Sequence, residues 1–495
     1  MSNRKCLAFD LGAESGRAVL GELDGQLLKL SEIHRFPNEP LLLPDGLHWD
    51  ALRLEHEIEN GLAKAAAVSG PEFAGIAVDT WGVDFAFLGR GDVFLGEPYH
   101  YRDHRTDQIL AKAFNLMPRD AIYAGTGIQI LPFNTLYQLL AMRIQSSPLL
   151  ECAETLLLMP GLFTYLLTGI KTNDASIAST SQCFDMRGGD WSWDLLKRFA
   201  IPARFFDPVA TPGTIVGPLR RAVADKTGAR GMVIAATGHD TASAVAGVPI
   251  EPGRSMYISC GTWSLAGVEI PEPIINAQAY EAGFTNEGGA DGTICFLKNI
   301  LGLWLVQECR RVWSQRGEAH DYSELTSLAA KAPAFGLILD PNDQAFLNPA
   351  DMPSAISAYA SRTGQAKPGT VGEFVRAALE GLALSYRRTL MVLERILGWR
   401  IEVIHMVGGG IKNELLCQFT ADATGRPVIA GPMEATAAGN ILVQAMALGM
   451  IDNLSGAREI VRRSFDLRTY DPGPAGPWDE AFARFETLIA SGSAR

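Results

Sequence analysis

The chain carries one short pattern at the head of each half, and that pattern narrows the folds open to it. Cys6-Leu7-Ala8-Phe9 is an apolar run, and residues 10–16 form a glycine-rich turn holding a carboxylate and a hydroxyl. Residues 17–23 resume with alternating apolar positions. The second copy runs through residues 255–259, the turn Cys260-Gly261-Thr262-Trp263 and residues 264–269. Each copy predicts strand, tight turn, strand. Two related domains facing each other across a cleft would explain why both begin in this way.

The rest of the chain predicts an α/β protein. Leu54, Ile58, Leu62 and Ala65 recur at helical spacing beneath Glu55, Glu57 and Glu59, an amphipathic helix. Strand-like residues 75–78 and 83–88 follow on either side of Asp79-Thr80-Trp81-Gly82, and strands alternating with helices indicate this class. Residues 232–236 read as a buried strand that ends at Thr237-Gly238-His239-Asp240-Thr241 before a small-residue helix over 242–247. The cluster Val248-Pro249-Ile250-Glu251-Pro252-Gly253 reads as a linker, so the expected domains are 1–247 and 254–495. A chain of 495 residues exceeds what one core supports, which also calls for two domains. Thr370 and Glu373 have capping-box spacing and open a long helix ending near Gly398. Residues 401–407 then read as a strand that delivers Gly408-Gly409-Gly410 to a helix over 412–423.

Charge and cysteine usage exclude several roles. The formal net charge of -12 argues against a broad nucleic-acid surface and against adhesion to an anionic membrane. Seven scattered cysteines with no Cys-x-x-Cys pair read as buried reduced thiols, and only four apolar residues follow Arg4 and Lys5 before Asp10, too few for a signal peptide. The expectation is a cytoplasmic protein, a monomer or small homo-oligomer.

Several catalytic signatures are missing. There is no phosphate-binding Gly-x-x-x-x-Gly-Lys-Ser/Thr loop, no Gly-x-Gly-x-x-Gly after the first strand, no His-Glu-x-x-His and no Gly-x-Ser-x-Gly. Tyr101-Arg102-Asp103 lacks the companion motifs of a protein kinase. In the first turn, Gly12 and Gly16 permit backbone N–H groups to converge on an anion, and Asp10 would hold a phosphate-bound magnesium through water. From the residues alone Asp240 reads as a helix N-cap and Trp81 as core, while Arg102 and Arg105 read equally as surface ion pairs or as part of a lid.

Asp10-Leu11-Gly12-Ala13 with Ser15-Gly16-Arg17, the stretch 238–244, and Gly408-Gly409-Gly410 with Asn413 resemble the FGGY carbohydrate kinases over residues 10–449. Asp79-Thr80-Trp81-Gly82-Val83-Asp84-Phe85, Pro132-Phe133-Asn134-Thr135-Leu136-Tyr137-Gln138 and the stretch 297–304 narrow that resemblance to members acting on L-rhamnulose. The resemblance implies an α/β, two-domain actin/hexokinase-like (ribonuclease H-like) ATPase fold with a central cleft. It implies transfer of phosphate from ATP, with Mg2+, to the C1 hydroxyl of L-rhamnulose. Another ketose such as L-fuculose or L-xylulose is the nearer alternative, and an actin-fold ATPase switch without kinase activity the more distant one.

By the same resemblance Asp240 is the catalytic base, and Gly82, His239, Asp240, Thr241 and Asn299 contact the sugar. Ala13, Glu14, Ser15, Gly16, Arg17, Thr262, Gln307, Gly408, Gly409 and Gly410 bind ATP, and Asp10 and Asp240 face the magnesium ion. Glu14 stands where a small residue is usual in such a turn, so its side chain is expected to turn away from the phosphates.

Overall fold

The computed structural model describes residues 4–492. The chain folds into two compact units. The first holds the residues up to Pro249, Glu269–Leu297 and Ala435–Phe465; the second holds Ile250–Val268, Lys298–Glu434 and the residues from Asp466 on.

In the first unit the opening hairpin forms as the alternation predicts. β1 (Arg4–Leu11) pairs antiparallel with β2 (Ser15–Leu23), which pairs with β3 (Leu28–Pro37). Asp50 caps the helix α1 (Ala51–Ser69) by accepting from Arg53 N. β4 (Glu72–Thr80) returns parallel to β1, and β5 (Thr214–Pro218) and β6 (Arg230–Ala235) complete the order β5-β6-β4-β1-β2-β3. Residues 6–9 of β1 are apolar without a break because both faces of the strand are covered. Leu7 and Phe9 pack with Leu54, Ile58 and Leu62 of α1, while Cys6 and Ala8 pack in a cluster with Ala437 and Ile441 of the helix Ala435–Ala447. That late helix also lies against α2 (Asp240–Ala246), closely enough that a Cβ on Gly439 would stand 1.7 Å from Ser243 O.

A second sheet repeats the arrangement. β7 (Ser255–Cys260) and β8 (Trp263–Ile270) form an antiparallel hairpin, with β9 (Ile294–Leu301) next to β8 in the sheet order. β10 (Val403–Val407) runs parallel to β7, β11 (Val428–Ala430) parallel to β10, and β12 (Arg468–Tyr470) closes the edge. Thus β9-β8-β7-β10-β11 follows the same plan as β3-β2-β1-β4-β6: a hairpin whose first strand takes a parallel neighbour. The long helix Val371–Leu397 starts at Thr370, whose side chain accepts from Glu373 N, while Glu373 Oε2 accepts from Gly369 N at 2.6 Å.

One expectation needs correction. Six of the cysteines are buried as reduced thiols, but Cys152 is exposed on a four-residue helix. Asn453 caps the helix Leu454–Ser464 by accepting from Gly456 N at 3.0 Å. Among the described residues no helix is long and apolar enough to cross a membrane.

Candidate active site

Strand ends in the first unit bring three carboxylates together. Asp10 lies one residue from the end of β1, and the parallel register sets Asp79 of β4 beside it. β6 ends ahead of Thr237, and Thr80 N donates to Gly238 O at 2.8 Å, which fixes the turn that launches α2 at Asp240. Ligands in α/β sheets gather at such carboxyl ends of strands.

Each carboxylate has a different environment. Asp10 Oδ2 accepts from Arg17 Nε at 3.0 Å and Nη2 at 2.7 Å, its antiparallel partner across the hairpin. Asp79 is fully buried; Asn440 Nδ2 donates to its Oδ2 at 2.5 Å, and its Oδ1 has no hydrogen-bond partner. Burial, helped by the charges of Asp10 and Asp240, holds the Asp79 carboxyl well above the usual range. Asp240 is the first residue of α2, and His239 occupies the N-cap position without a side-chain cap bond. The helix-capping reading of Asp240 is therefore excluded. The Asp240 side chain keeps 30% of its exposure and accepts from Thr241 Oγ1 at 3.1 Å. Its pKa is raised, mainly by the removal of water; Asp10 adds to the rise, while His239 and Thr241 oppose it.

His239 bridges two acids. Its Nε2 lies 3.5 Å from Asp240 Oδ1 and its Nδ1 3.2 Å from Glu287 Oε2. Neither atom of the second contact has a hydrogen-bond partner, so charge attraction describes it. Burial alone would lower the imidazole pKa, but Glu287, Asp240 and Asp174 outweigh it and the net shift is upward. Glu287 comes from the strand Thr285–Gly288, remote in sequence, and no motif singled it out.

The first turn is tied at its base. Gly12 N donates to Ser15 O at 3.0 Å, Asn38 N to Glu14 O at 2.9 Å and Asn38 Nδ2 to Gly12 O at 2.9 Å. Within it Gly16 is buried, Ala13, Ser15 and Arg17 are half-buried, and Glu14 is exposed.

Gly82 packs against Thr180, whose Cβ would stand 3.0 Å from a Cβ added at Gly82. Next to it Val83 adopts φ 69°, the left-handed region that a β-branched residue avoids. Trp81 is 5% exposed and donates through Nε1 to Asp84 Oδ2 at 3.0 Å, so it belongs to the core as well as to this turn. Arg105 is not a surface residue. It retains 5% of its side-chain exposure and stacks 3.8 Å over the Tyr99 ring.

The second unit gathers its own set. Thr262 lies in the β7–β8 turn, and its carbonyl accepts from Gly302 N at 3.0 Å and Trp304 N at 3.3 Å. The helix Trp304–Gln315 thus begins against that turn and carries Gln307, whose buried Oε1 has no hydrogen-bond partner. Gly408 has φ 84° and lies so close to Cys260 that a Cβ would stand 2.9 Å from its carbonyl oxygen. A Cβ on Gly410 would stand 2.4 Å from Cys260 Sγ, whereas Gly409 faces open space. Thr262, Gln307 and the triple glycine therefore gather around the end of β7. Asn299 lies on β9, beside Lys298, whose ammonium burial lowers to a pKa of about 8.

The whole chain matches known proteins. Residues 5–247 match the N-terminal domain, and residues 256–448 the C-terminal domain, of the FGGY family of carbohydrate kinases. The chain belongs to that family and is a sugar kinase that uses ATP as co-substrate. It is 42% identical to a rhamnulokinase of Bacteroides thetaiotaomicron over 97% of this chain and 99% of that protein. It is 40% identical to a rhamnulokinase of Oceanobacillus iheyensis over 94% of this chain and 97% of that protein. A crystal structure of gluconate kinase from Lactobacillus acidophilus superposes with a TM-score of 0.82 at 17% identity, covering 99% of this chain and 98% of that one. A ligand-bound xylulose kinase from the same organism gives 0.81 at 16% identity, over 99% of each chain.

Proposed function

We propose that the chain transfers the terminal phosphoryl group of ATP to the C1 hydroxyl of L-rhamnulose, with Asp240 as the base. The observation that carries the reading is the family relationship, about 40% identity to rhamnulokinases along nearly the full length. Placement supports Asp240: it opens a helix at a strand end, holds residual exposure and lies beside a histidine anchored by a second acid.

Phosphoryl transfer asks mainly for positioning and charge neutralisation. In this reading the sugar lies against Gly82, with His239, Thr241 and Asn299 bonding its hydroxyls. Asp240 accepts the proton of the attacking C1 hydroxyl as the phosphoryl group departs from ADP. The raised pKa makes Asp240 a stronger base than an exposed aspartate. ATP contacts come from residues 13–17, Thr262, Gln307 and Gly408 to Gly410. Glu14 is exposed, and backbone rather than its carboxylate serves the phosphates.

The acidic set fits a nucleotide-borne magnesium ion. Asp10, Asp79 and Asp240 converge, and the orphaned Asp79 Oδ1 is an acceptor that protein donors leave unsatisfied. Among the described residues no group of three His, Cys, Asp or Glu is placed to hold a metal ion directly. Asp10 and Asp240 would therefore hold Mg2+ through water, and the ion would neutralise phosphate charge.

Release of ADP by purified protein tests the reading. Turnover should require both a ketose and Mg2+, and ADP release unaffected by any ketose would refute it.

A further inference from the structure

Two of the stretches that narrowed the resemblance, 79–85 and 132–138, interlock. Val83 is held at φ 69° from both sides: its N–H donates to Thr180 Oγ1 at 3.0 Å, and its carbonyl accepts from Thr135 Oγ1 at 2.6 Å and Gln138 Nε2 at 3.4 Å. A β-branched residue persists there only where its surroundings over-determine it. Gln138 Nε2 also donates to Asp84 Oδ1 at 2.8 Å, while Asp84 Oδ2 accepts from Trp49, Trp81 and the Tyr101 backbone. Behind Gln138 stands Arg105, whose Nη2 donates to Gln138 Oε1. Asp103 lies 3.7 Å from Arg105 Nε, and neither Nε nor Nη1 has a hydrogen-bond partner. A buried guanidinium with two idle donors is costly for stability alone.

We propose that Thr135, Gln138 and Arg105 are positioning residues that clamp the Gly82–Val83 turn in its left-handed form and thereby set which ketose the site accepts. The inference rests on the proposed reading that the sugar lies against Gly82. Arg105 acts through Gln138, keeping its amide oriented so that Nε2 faces Val83 and Asp84. Without the clamp, Val83 relaxes toward ordinary φ and carries the Gly82 peptide with it. Phosphoryl transfer still proceeds, but the sugar binds weakly and with less discrimination among ketoses.

Gln138→Leu and Arg105→Met are tested singly and together, with kcat, KM for ketose and KM for ATP measured alongside thermal unfolding. Each single variant should raise the ketose KM at least tenfold and leave the ATP KM within twofold. The double variant should be little worse than either single, because both act on one turn. Glycine adopts positive φ without penalty, so Val83→Gly placed in the Gln138→Leu background should recover most of the lost ketose affinity. A ketose KM within twofold of the starting protein, equal rises in both KM values, or no recovery with Val83→Gly each overturns the clamp. Should Gln138→Leu fail to fold, Thr135→Val is the second variant, judged by the same split. Calorimetry of the unaltered protein with the ketoses separates the two readings: no binding of any ketose sinks the proposed function and the clamp together, whereas normal binding with unaltered variants sinks the clamp alone.

Discussion

Asn440 donates its side-chain amide to the carboxylate of Asp79, 2.5 Å away and 361 positions earlier in the chain. Gln444, one turn on, donates to Asn440 Oδ1 at 2.6 Å and to Leu7 O at 3.1 Å, and all three side chains are fully buried. This late helix therefore fixes an acid of the candidate active site to the strand that carries Asp10.

Replacing Asn440 with leucine removes that donor while the carboxylate stays buried. An unsatisfied buried acceptor costs about 1–3 kcal/mol, more if charged. Chemical denaturation should show a loss of at least that size for Asn440→Leu, and Asn440→Asp should lose more by adding a second buried acid. Equal stability of all three proteins would contradict the assigned role of this bond.

Gly439→Ala addresses the same helix sterically. The new Cβ would meet Ser243 O at 1.7 Å and Gly247 N at 2.7 Å, both backbone atoms, so the helix beginning at Asp240 must move. Overpacking of this kind costs about 1–3 kcal/mol or somewhat more. Expected are a lower unfolding temperature and a fall in kcat, since α2 carries the proposed base. Full activity with unchanged stability would show that the contact yields without disturbing α2.

Much of this was legible in the chain's local pattern, and the rest was not for physical reasons. The hairpin at Asp10, the strand that ends before Asp240 and the capped helix from Val371 follow from periodicity and turn chemistry, which act over a few residues. Asn440, Glu287 and the burial of Arg105 arise from packing between segments far apart in sequence. Tyr101-Arg102-Asp103-His104-Arg105 looks like a solvated charged loop until Tyr99, Asp103 and Gln138 close around the last arginine. Thr135 and Gln138 sat in a stretch valued only for its resemblance, and their bonds to Val83 give it a physical purpose.

Asp84 predicts a pH dependence of stability. Burial raises its pKa from 3.8 to about 6, against the opposing donors Gln138, Trp49 and Trp81. A carboxyl whose folded value lies above its unfolded one contributes stability that is complete below the unfolded value and is lost as pH rises through the folded one. The loss between pH 4 and pH 6.5 amounts to roughly 2 kcal/mol. Asp84→Asn lacks this titration, so unfolding free energies of the two proteins, compared across that window, should diverge with the wild type falling as pH rises. Parallel curves would exclude a raised pKa at Asp84.

Asp240→Asn keeps the size of the side chain and removes its capacity to accept a proton. A general base contributes roughly 100- to 10,000-fold to rate. Turnover should fall within or beyond that range while ATP binding, followed by calorimetry, persists. Turnover near that of the unaltered protein would assign the base elsewhere.

The central claim is tested most directly by supplying ATP, Mg2+ and L-rhamnulose, with L-fuculose and L-xylulose in parallel, and identifying the product by phosphorus–proton correlation NMR. The account predicts the highest kcat/KM for L-rhamnulose and a phosphate coupled to the C1 protons of that sugar. Phosphate on another carbon, or a clear preference for another ketose, would contradict it.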